Sequence, residues 1–331
     1  MRQPFLTIGI ASYNYLQYIE RAFEQIKKQT FKDIEILYCD DGSTDGSVEK
    51  IKEIINREKD ITIRLIEGQH AGILSNRNRI IDNANGKYLM ICDADDQMLD
   101  GCLDRLCSTA QNTGADCIIG GFCEVNDSGR VLKTHIPSEN SSKWLYTWHH
   151  GQIYLVDIVR SNGIRFEDIP DDVFYLQKIH KCCRKVEFVQ DCVYAWYRHS
   201  SSTSCNFIDN PEWHPASLWR KIAVYISDLR NEMTGTDADD LNYYLCKWYY
   251  FNITDLWKES PSVIKKYMCE MRSQMESVNP KYLKFGSICM MAKARDTKFA
   301  KGAVIGCMLF EKLHALYAVI LIRKLQYRLR R

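Results

Sequence analysis

Acidic residues in this chain gather where short apolar runs end. After the run at 34–39 come Asp40-Asp41-Gly42-Ser43-Thr44-Asp45, and after the run at 88–92 come Asp93-Ala94-Asp95-Asp96. Carboxylates crowded at a strand end repel one another, so a positive charge or a set of donors must hold them. A solvated face explains Asp93, Asp95 and Asp96 poorly, because they follow Tyr88-Leu89-Met90-Ile91-Cys92 directly. A divalent cation carrying a diphosphate neutralises such a cluster: hard oxygen ligands suit Mg2+ or Mn2+, and these ions keep positions open for phosphates. Asp93 and Asp95 lie on one side of an extended backbone and can face one ion. For Asp40-Asp41, base or ribose recognition or a cation would serve. Helix capping accounts for Asp45 and Ser47 but not for that pair. A calcium loop is excluded, since the position that needs Glu holds Lys52.

These clusters need a scaffold that brings strand ends together. Apolar, β-rich runs at 5–10, 34–39, 61–67, 88–92 and 116–125 alternate with stretches of helical period at 18–29, 47–58, 75–85 and 99–113. In the first helix Tyr18, Ile19, Ala22, Phe23 and Ile26 share one face. The alternation predicts an α/β architecture, a mostly parallel sheet covered on both sides. Ligands of such sheets bind beyond the carboxyl ends of the strands, which adds Ala11-Ser12-Tyr13-Asn14 to the candidates. Residues 126–205 are less regular, and from about 211 the pattern is helical and aromatic. The expected division is a 1–207 α/β domain and a 208–331 helical region, with the boundary near 207–211.

Composition removes several function classes. Lys plus Arg number 44 against 42 Asp plus Glu, a net charge of +2, which argues against a general nucleic-acid binder. The fourteen cysteines include no C-x-x-C, so a structural zinc site lacks its ligand pairs. Cys92, Cys117, Cys246 and Cys307 sit in apolar runs and read as buried free thiols. That usage predicts a reducing compartment. An opening Met1-Arg2-Gln3-Pro4 before a run too short for a signal-peptide core adds the expectation of a cytoplasmic protein.

Together, Ser12-Tyr13-Asn14, Asp40-Asp41-Gly42-Ser43-Thr44-Asp45, Ser75-Asn76-Arg77-Asn78, Gly86-Lys87-Tyr88 and Asp93-Ala94-Asp95-Asp96 resemble the family 2 glycosyltransferases of the GT-A fold. The resemblance covers roughly the first 205 residues, in the order expected of that family. It implies a Rossmann-like, mixed nucleotide-binding sheet with flanking helices, followed here by a helical C-terminal region. The implied reaction is an inverting transfer from a nucleotide-diphospho-sugar, UDP-linked by family likeness, to a glycan or lipid-linked hydroxyl in cell-surface polysaccharide synthesis. Roles follow from the resemblance too. Asp41 corresponds to the aspartate that contacts the base, with Ala11 and Tyr13 nearby. Ala11 stands where relatives often carry Thr or Ser, which leaves its backbone for a contact. Arg77 lies near base and phosphates. Asp93 and Asp95, with Ala94 between them, form the D-x-D for ribose and metal-diphosphate, Asp95 being the direct ligand of Mn2+ or Mg2+. Asp171-Asp172 takes the place of the family's Glu-Asp, with Asp172 as the base and Glu167 and Asp168 as runners-up. Arg198, in Ala195-Trp196-Tyr197-Arg198-His199, matches a Tyr-Arg segment able to close over the diphosphate. Trp148-His149-His150 reads as polar surface with at most an acceptor contact, because adjacent histidines lack ligand spacing.

One carboxylate to take the acceptor proton and a cation to stabilise the leaving diphosphate suffice for transfer. A glycosidase would want two opposed carboxylates and no metal cluster. A nucleotide-sugar-forming nucleotidyltransferase is disfavoured by the lack of a Gly-rich loop after the first strand. A degenerate, transferase-like subunit that binds glycan or membrane stays open. Near the C-terminus, apolar runs at 302–310 and 315–322 are each shorter than the ~20 residues a spanning helix needs. Arg323, Lys324, Arg328, Arg330 and Arg331 follow. This tail is expected to lie on an anionic membrane surface, or to pack on its own domain or a second subunit, with a single spanning helix from Gly302 as a third option. The aromatic residues from Tyr243 to Trp257 are expected to pack between helices.

Overall fold

Each of the five apolar runs forms a strand: β1 (Leu6–Ser12), β2 (Ile34–Asp40), β3 (Thr62–Glu67), β4 (Tyr88–Asp93) and, after a short β5 (Gln97–Met98), β6 (Cys117–Asn126). In the computed structural model, which describes residues 2–167, 171–198, 215–279 and 291–329, the helices between them are α1 (Leu16–Lys27), α2 (Ser47–Arg57), α3 (Ile73–Asn83) and α4 (Cys102–Thr113). β1, β2 and β4 are buried almost throughout and read as unbroken apolar runs because helices cover both faces. α1, α2 and α4 pack on one face and α3 on the other. α4 starts later than its apolar period suggests. The Leu99 N–H donates to Val193 O, which keeps that stretch on the sheet, and Gly101 at φ 71 then turns the chain into the helix.

Three further strands, β7 (Val131–His135), β8 (Gln152–Leu155) and β9 (Val186–Arg198), come from the irregular middle of the sequence, together with α5 (Val156–Ser161) and α6 (Asp171–Cys182). The sheet order is β3-β2-β1-β4-β8-β6-β9-β5, with β7 on β6. β1 to β4 run parallel, β8 is antiparallel to both neighbours, and β6 is parallel to β9. The sheet is therefore mixed, as the GT-A resemblance implies. β1 lies between β2 and β4, the point where strand order reverses and a crevice opens beyond the strand ends. Register places Ser12 beside Asp40 and Ala11 beside Asp93 there.

The chain divides into two units, Met1–Cys205 and Asn206–Arg331; the boundary expected near 207–211 lies outside the described residues. The second unit is helical: α7 (Pro215–Asn231), α8 (Gly235–Asp255), α9 (Pro261–Val278), α10 (Lys298–Lys312) and α11 (Leu316–Leu329). Tyr243, Tyr244, Tyr249 and Tyr250 are buried in it. The Tyr249 and Tyr250 hydroxyls donate to Glu311 at 2.5 and 2.9 Å, so these aromatics pack between helices. The described cysteines are all unpaired, and most are buried.

Entry into β4 depends on Gly86. Its N–H donates to Thr7 Oγ1 at 2.8 Å, and a Cβ there would fall 2.4 Å from Thr7 N and 2.7 Å from the Leu6 carbonyl carbon. Both are backbone atoms of β1 and cannot step aside. Gly86→Ala is expected to destabilise the protein by about 1–3 kcal/mol and to lower the midpoint of thermal unfolding. An unchanged midpoint would contradict this packing.

Candidate active site

The loops after β1 and β2 hold each other in place. Asp40 turns its carboxylate back on its own loop, accepting from Gly42 N, Ser43 N and Ser43 Oγ at 3.0, 2.8 and 2.5 Å. Asp45 accepts from Leu16 N and Ser47 N, each at 3.0 Å, and Asn14 Oδ1 accepts from Thr44 N at 2.9 Å. These two aspartates thus serve the loop. Asp41 is buried and reaches the loop before α3, where it accepts from Gly72 N at 2.8 Å and Arg79 Nη2 at 3.0 Å. His70 Nδ1 stands 2.9 Å from its Oδ2. The His70 ring in turn stacks on Tyr13, with centroids 4.1 Å apart at 22°. Tyr13 and the His70 side chain are 43% and 57% exposed, so this stack forms the rim of the crevice. Ala11 lies within β1 with its methyl among Leu37, Cys39 and Ile80, which leaves only its main chain to offer a ligand.

The densest charge lies one strand over. Arg77, on α3 and buried, donates from Nη1 to Asp172 Oδ1 at 3.0 Å and from Nη2 to Asp93 Oδ1 at 3.2 Å. His149 makes a second bridge between the same carboxylates: Nδ1 is 2.9 Å from Asp172 Oδ2, and Nε2 is 3.2 Å from Asp93 Oδ2. Asp93 is the last residue of β4, and Asp172 sits in the first turn of α6, 79 positions later. Local packing explains why they meet. Tyr175, Leu176 and Ile179 of α6 are buried in the same core as Ile80 and Ile81 of α3. Asp172, one turn before Tyr175 and Leu176, emerges on that side. Phe166 stacks on Tyr175 at 3.8 Å, and the Arg77 guanidinium lies 5.4 Å from the Phe166 ring.

Burial alone would raise both carboxyl pKa values, yet His149 and Arg77 bring Asp172 down to about 2 and hold Asp93 well below the carboxylate range. Burial would likewise neutralise His149, but Asp172 and Asp93 raise it to about 10. His150, desolvated and next to that cation, falls to about 3. Asp96 is pushed well above its ordinary value by burial and by Asp93 and Asp95. It accepts from the Tyr194 hydroxyl and Tyr197 N, both at 2.9 Å, and His150 Nε2 stands 3.5 Å away. Ala94 is fully buried, and Asp96 N donates to Asp93 O at 3.2 Å, which closes the acidic turn. Asp95 is nearly buried beside it, and its main-chain oxygen accepts from Arg21. Asp93, His149 and His150 offer ligand atoms within 4.8 Å of one another. Of these groups the Asp93 carboxylate suits Mn2+ or Mg2+, whereas His149, protonated and shared between Asp172 and Asp93, could ligate a cation only after giving up its proton.

Asp41 and Tyr13 are therefore brought together through His70, and Arg77, Asp93 and Asp172 directly. Arg198, at the end of β9, instead pairs with Glu124 at 3.3 Å and lies 4.5 Å over Trp196, which stacks on His150. Glu167 forms a surface pair with Lys178 at 2.6 Å. Asp171 opens α6, while Asp168, His199 and residues 200–204 lie outside the described residues. His149 and His150 need correction: they are buried at 2% and 4% exposure rather than surface polar groups. Tyr88 faces Leu155 and Leu89 faces Tyr154 in the β4–β8 ladder, and continuing that register brings Asp93 level with His150. Arg79 and His70 were also missed. Arg79 follows Arg77 by two positions, and only the fold shows that it serves Asp41.

Comparison with known proteins gives one family. Residues 7–201 match the model described as Glycosyl transferase family 2. Glycosyltransferase GlyA of Streptococcus pneumoniae is 25% identical over 221 residues, which span 60% of this chain and 31% of that protein. The uncharacterized glycosyltransferase EpsJ of Bacillus subtilis is 24% identical over 270 residues, 74% of this chain and 75% of that one. Among solved structures, S. aureus TarS 1–349 in complex with UDP-GlcNAc aligns with a TM-score of 0.67 at 14% identity, covering 98% of this chain and 91% of that one. At that identity the likeness is one of fold.

The charge state of His149 can be tested through stability with divalent cations chelated. Its pKa is raised from 6.5 to about 10. Its contribution is therefore complete below about pH 6.5 and is lost as the pH rises through about 10. The gap in unfolding midpoint between wild type and His149→Gln should shrink steadily across that window. A gap constant over the window would show that His149 is neutral in the folded protein.

Proposed function

The chain belongs to glycosyl transferase family 2, and on that premise we propose that it is an inverting enzyme moving a sugar from a UDP-linked donor to a glycan or lipid-linked hydroxyl. The observation that carries the proposal is the double bridge: Arg77 and His149 each touch both Asp93 and Asp172. A carboxylate is thereby set against the strand end where a donor diphosphate would lie. In this reading Tyr13 and Asp41 receive the base, the Ala11 main chain lies behind it, and Asp93 takes the ribose. Asp95 with Asp93 would hold Mn2+ or Mg2+, which when bound stabilises negative charge on the leaving diphosphate. The UDP-GlcNAc in the TarS structure supports a UDP-linked donor. A lipid-linked acceptor would place the enzyme at the inner face of a cell membrane, in polysaccharide synthesis.

The chain's own groups divide the remaining work. Asp172 accepts the proton of the acceptor hydroxyl while that oxygen attacks the anomeric carbon opposite the diphosphate. The new carbon–oxygen bond forms as the bond to the diphosphate breaks, its electron pair leaves with UDP, and the configuration inverts. Paired with Arg77 and His149, Asp172 is a weak base, at about 2. Donor phosphates compete for the Arg77 guanidinium, and loss of that partner raises the basicity of Asp172 at the moment the donor is in place. Arg198 must leave Glu124 to reach the diphosphate. His70 presents a flat ring to Tyr13 and a ring nitrogen to Asp41, as a nucleobase would, so the base must displace it.

Two experiments test this reading. Asp95→Asn should abolish metal-dependent turnover in a nucleotide-sugar panel, and Asp172→Asn should keep donor binding by calorimetry while losing about 10²–10⁴-fold in transfer. Unchanged transfer by both variants would sink the assignment. His70→Ala should tighten UDP binding several-fold, and Tyr13→Ala should weaken it. If His70→Ala weakens binding or leaves it unchanged, the imidazole does not occupy the base's place.

A further inference from the structure

The helices that end the second unit carry a pattern the transfer reaction does not use. No single helix of the described residues is long and apolar enough to cross a membrane, but α10 and α11 together pass that test, bent by 118° at the break between them. The exposed positions along α10 and just beyond it are Phe299, Gly302, Ala303, Leu309, Phe310 and Leu313, bounded by the exposed Lys298 and His314. Their spacing puts them on one stripe. Phe299 and Leu313, at its two ends, are 88% and 74% exposed. The opposite side of α10 buries Val304, Met308 and Glu311, with Glu311 held by the Tyr249 and Tyr250 hydroxyls. A helix on a water-facing surface carries its acid and other polar residues outward, whereas here Glu311 is inside and the outer side is apolar. Contiguous exposed apolar residues of this size mark an interaction surface.

Charge identifies the partner. From position 297 to the end the sequence has one acidic residue, the sequestered Glu311, against eight basic ones: Lys298, Lys301, Lys312, Arg323, Lys324, Arg328, Arg330 and Arg331. Lys298 is exposed beside Phe299 at one end of the stripe, while the Lys301 amine donates to Ala292 O and the Lys312 amine is buried. A second copy of the chain would bring an equally cationic tail against this one, and like charges facing across a two-fold contact oppose association. An anionic surface with an apolar layer just beneath satisfies both the charge and the stripe. At about 1.5 Å per residue α10 is near 22 Å long, shorter than the ~30 Å hydrocarbon core, so it would lie in the interface rather than span it.

We propose that α10 docks in the headgroup layer of an anionic lipid bilayer, with Phe299, Leu309, Phe310 and Leu313 in the acyl boundary and Lys298 and Arg323 toward lipid phosphate. Ile322 and Leu325 of α11, 55% and 58% exposed, extend the apolar contact. Such docking does not depend on which sugar or acceptor the enzyme uses.

Flotation of the full chain with vesicles tests it. The protein should rise with phosphatidylglycerol-containing vesicles, bind pure phosphatidylcholine weakly, and lose most of the anionic binding at high salt. The double variant Phe299→Glu/Leu313→Glu should weaken that binding by at least about tenfold. Both side chains face solvent, so the fold should survive. Independently, Phe299→Trp should shift its emission to the blue on phosphatidylglycerol vesicles. Failure to float with anionic vesicles, undiminished binding by the double variant, or an unshifted tryptophan would each overturn the proposal. A dimer that the double variant dissociates, without vesicle binding, would assign the face to a second copy instead.

Discussion

Two half-buried carboxylates within reach of one another need a positive group held between them to stay ionised, and here the buried Arg77 is that group. Its fork reaches Asp93 on one side and Asp172 on the other. Removing one member of the set leaves the others uncompensated, at a cost below the about 3–5 kcal/mol of a fully buried pair because both carboxylates keep some contact with solvent. Much of the α/β unit can be read as the means of holding this guanidinium. α3 presses on β1 at Gly9, where a Cβ would fall 2.2 Å from Ile80 Cγ2. That close approach sets the depth at which Arg77 enters the sheet's edge. α6 is fixed by Tyr175, Leu176 and Ile179, and through them the position of Asp172.

Around Arg77, neighbouring groups of the same type are driven to opposite charge states. His149, facing two carboxylates, carries a proton, while His150, facing His149 and aromatic rings, does not. Asp93 and Asp172 are held low by Arg77 and His149, whereas burial and the neighbouring Asp93 and Asp95 push Asp96, three residues beyond Asp93, well above its ordinary value. Chemically identical side chains thus take different roles, set by which partners the strand ends and helix starts bring to them. A site sorted in this way can bind anionic phosphates near Arg77 and still keep a carboxylate for proton transfer.

The legible part of this molecule was the part whose physics is local. β1, β2 and β4 are covered on both faces, so they appear as unbroken apolar runs, and the polar residues that follow mark the crevice without any knowledge of the fold. Asp41, Arg77, Asp93 and Asp172 could be singled out in this way or by resemblance. β7, β8 and β9 could not. β8 has four residues, and the β6–β9 register shifts at Gly120 and Gly121, which breaks the alternation that reveals a strand. The same gap hid His149, which enters the site only because β8 pairs with β4. It also hid Arg79 and His70, whose use depends on how the loop before α3 folds over Asp41. What periodicity cannot carry is pairing between distant segments, and half of the charge network is made of such pairings.

In the proposed reaction a carboxylate activates the attacking oxygen on the face opposite the diphosphate. Hydrolysis uses water in the acceptor's place and needs no knowledge of the natural acceptor. With an α-linked UDP-sugar and Mn2+, proton NMR can follow the free sugar before its anomers equilibrate. With inversion at the anomeric carbon, the β anomer should appear first and the α form should grow in only by mutarotation. First release of the α anomer would contradict it.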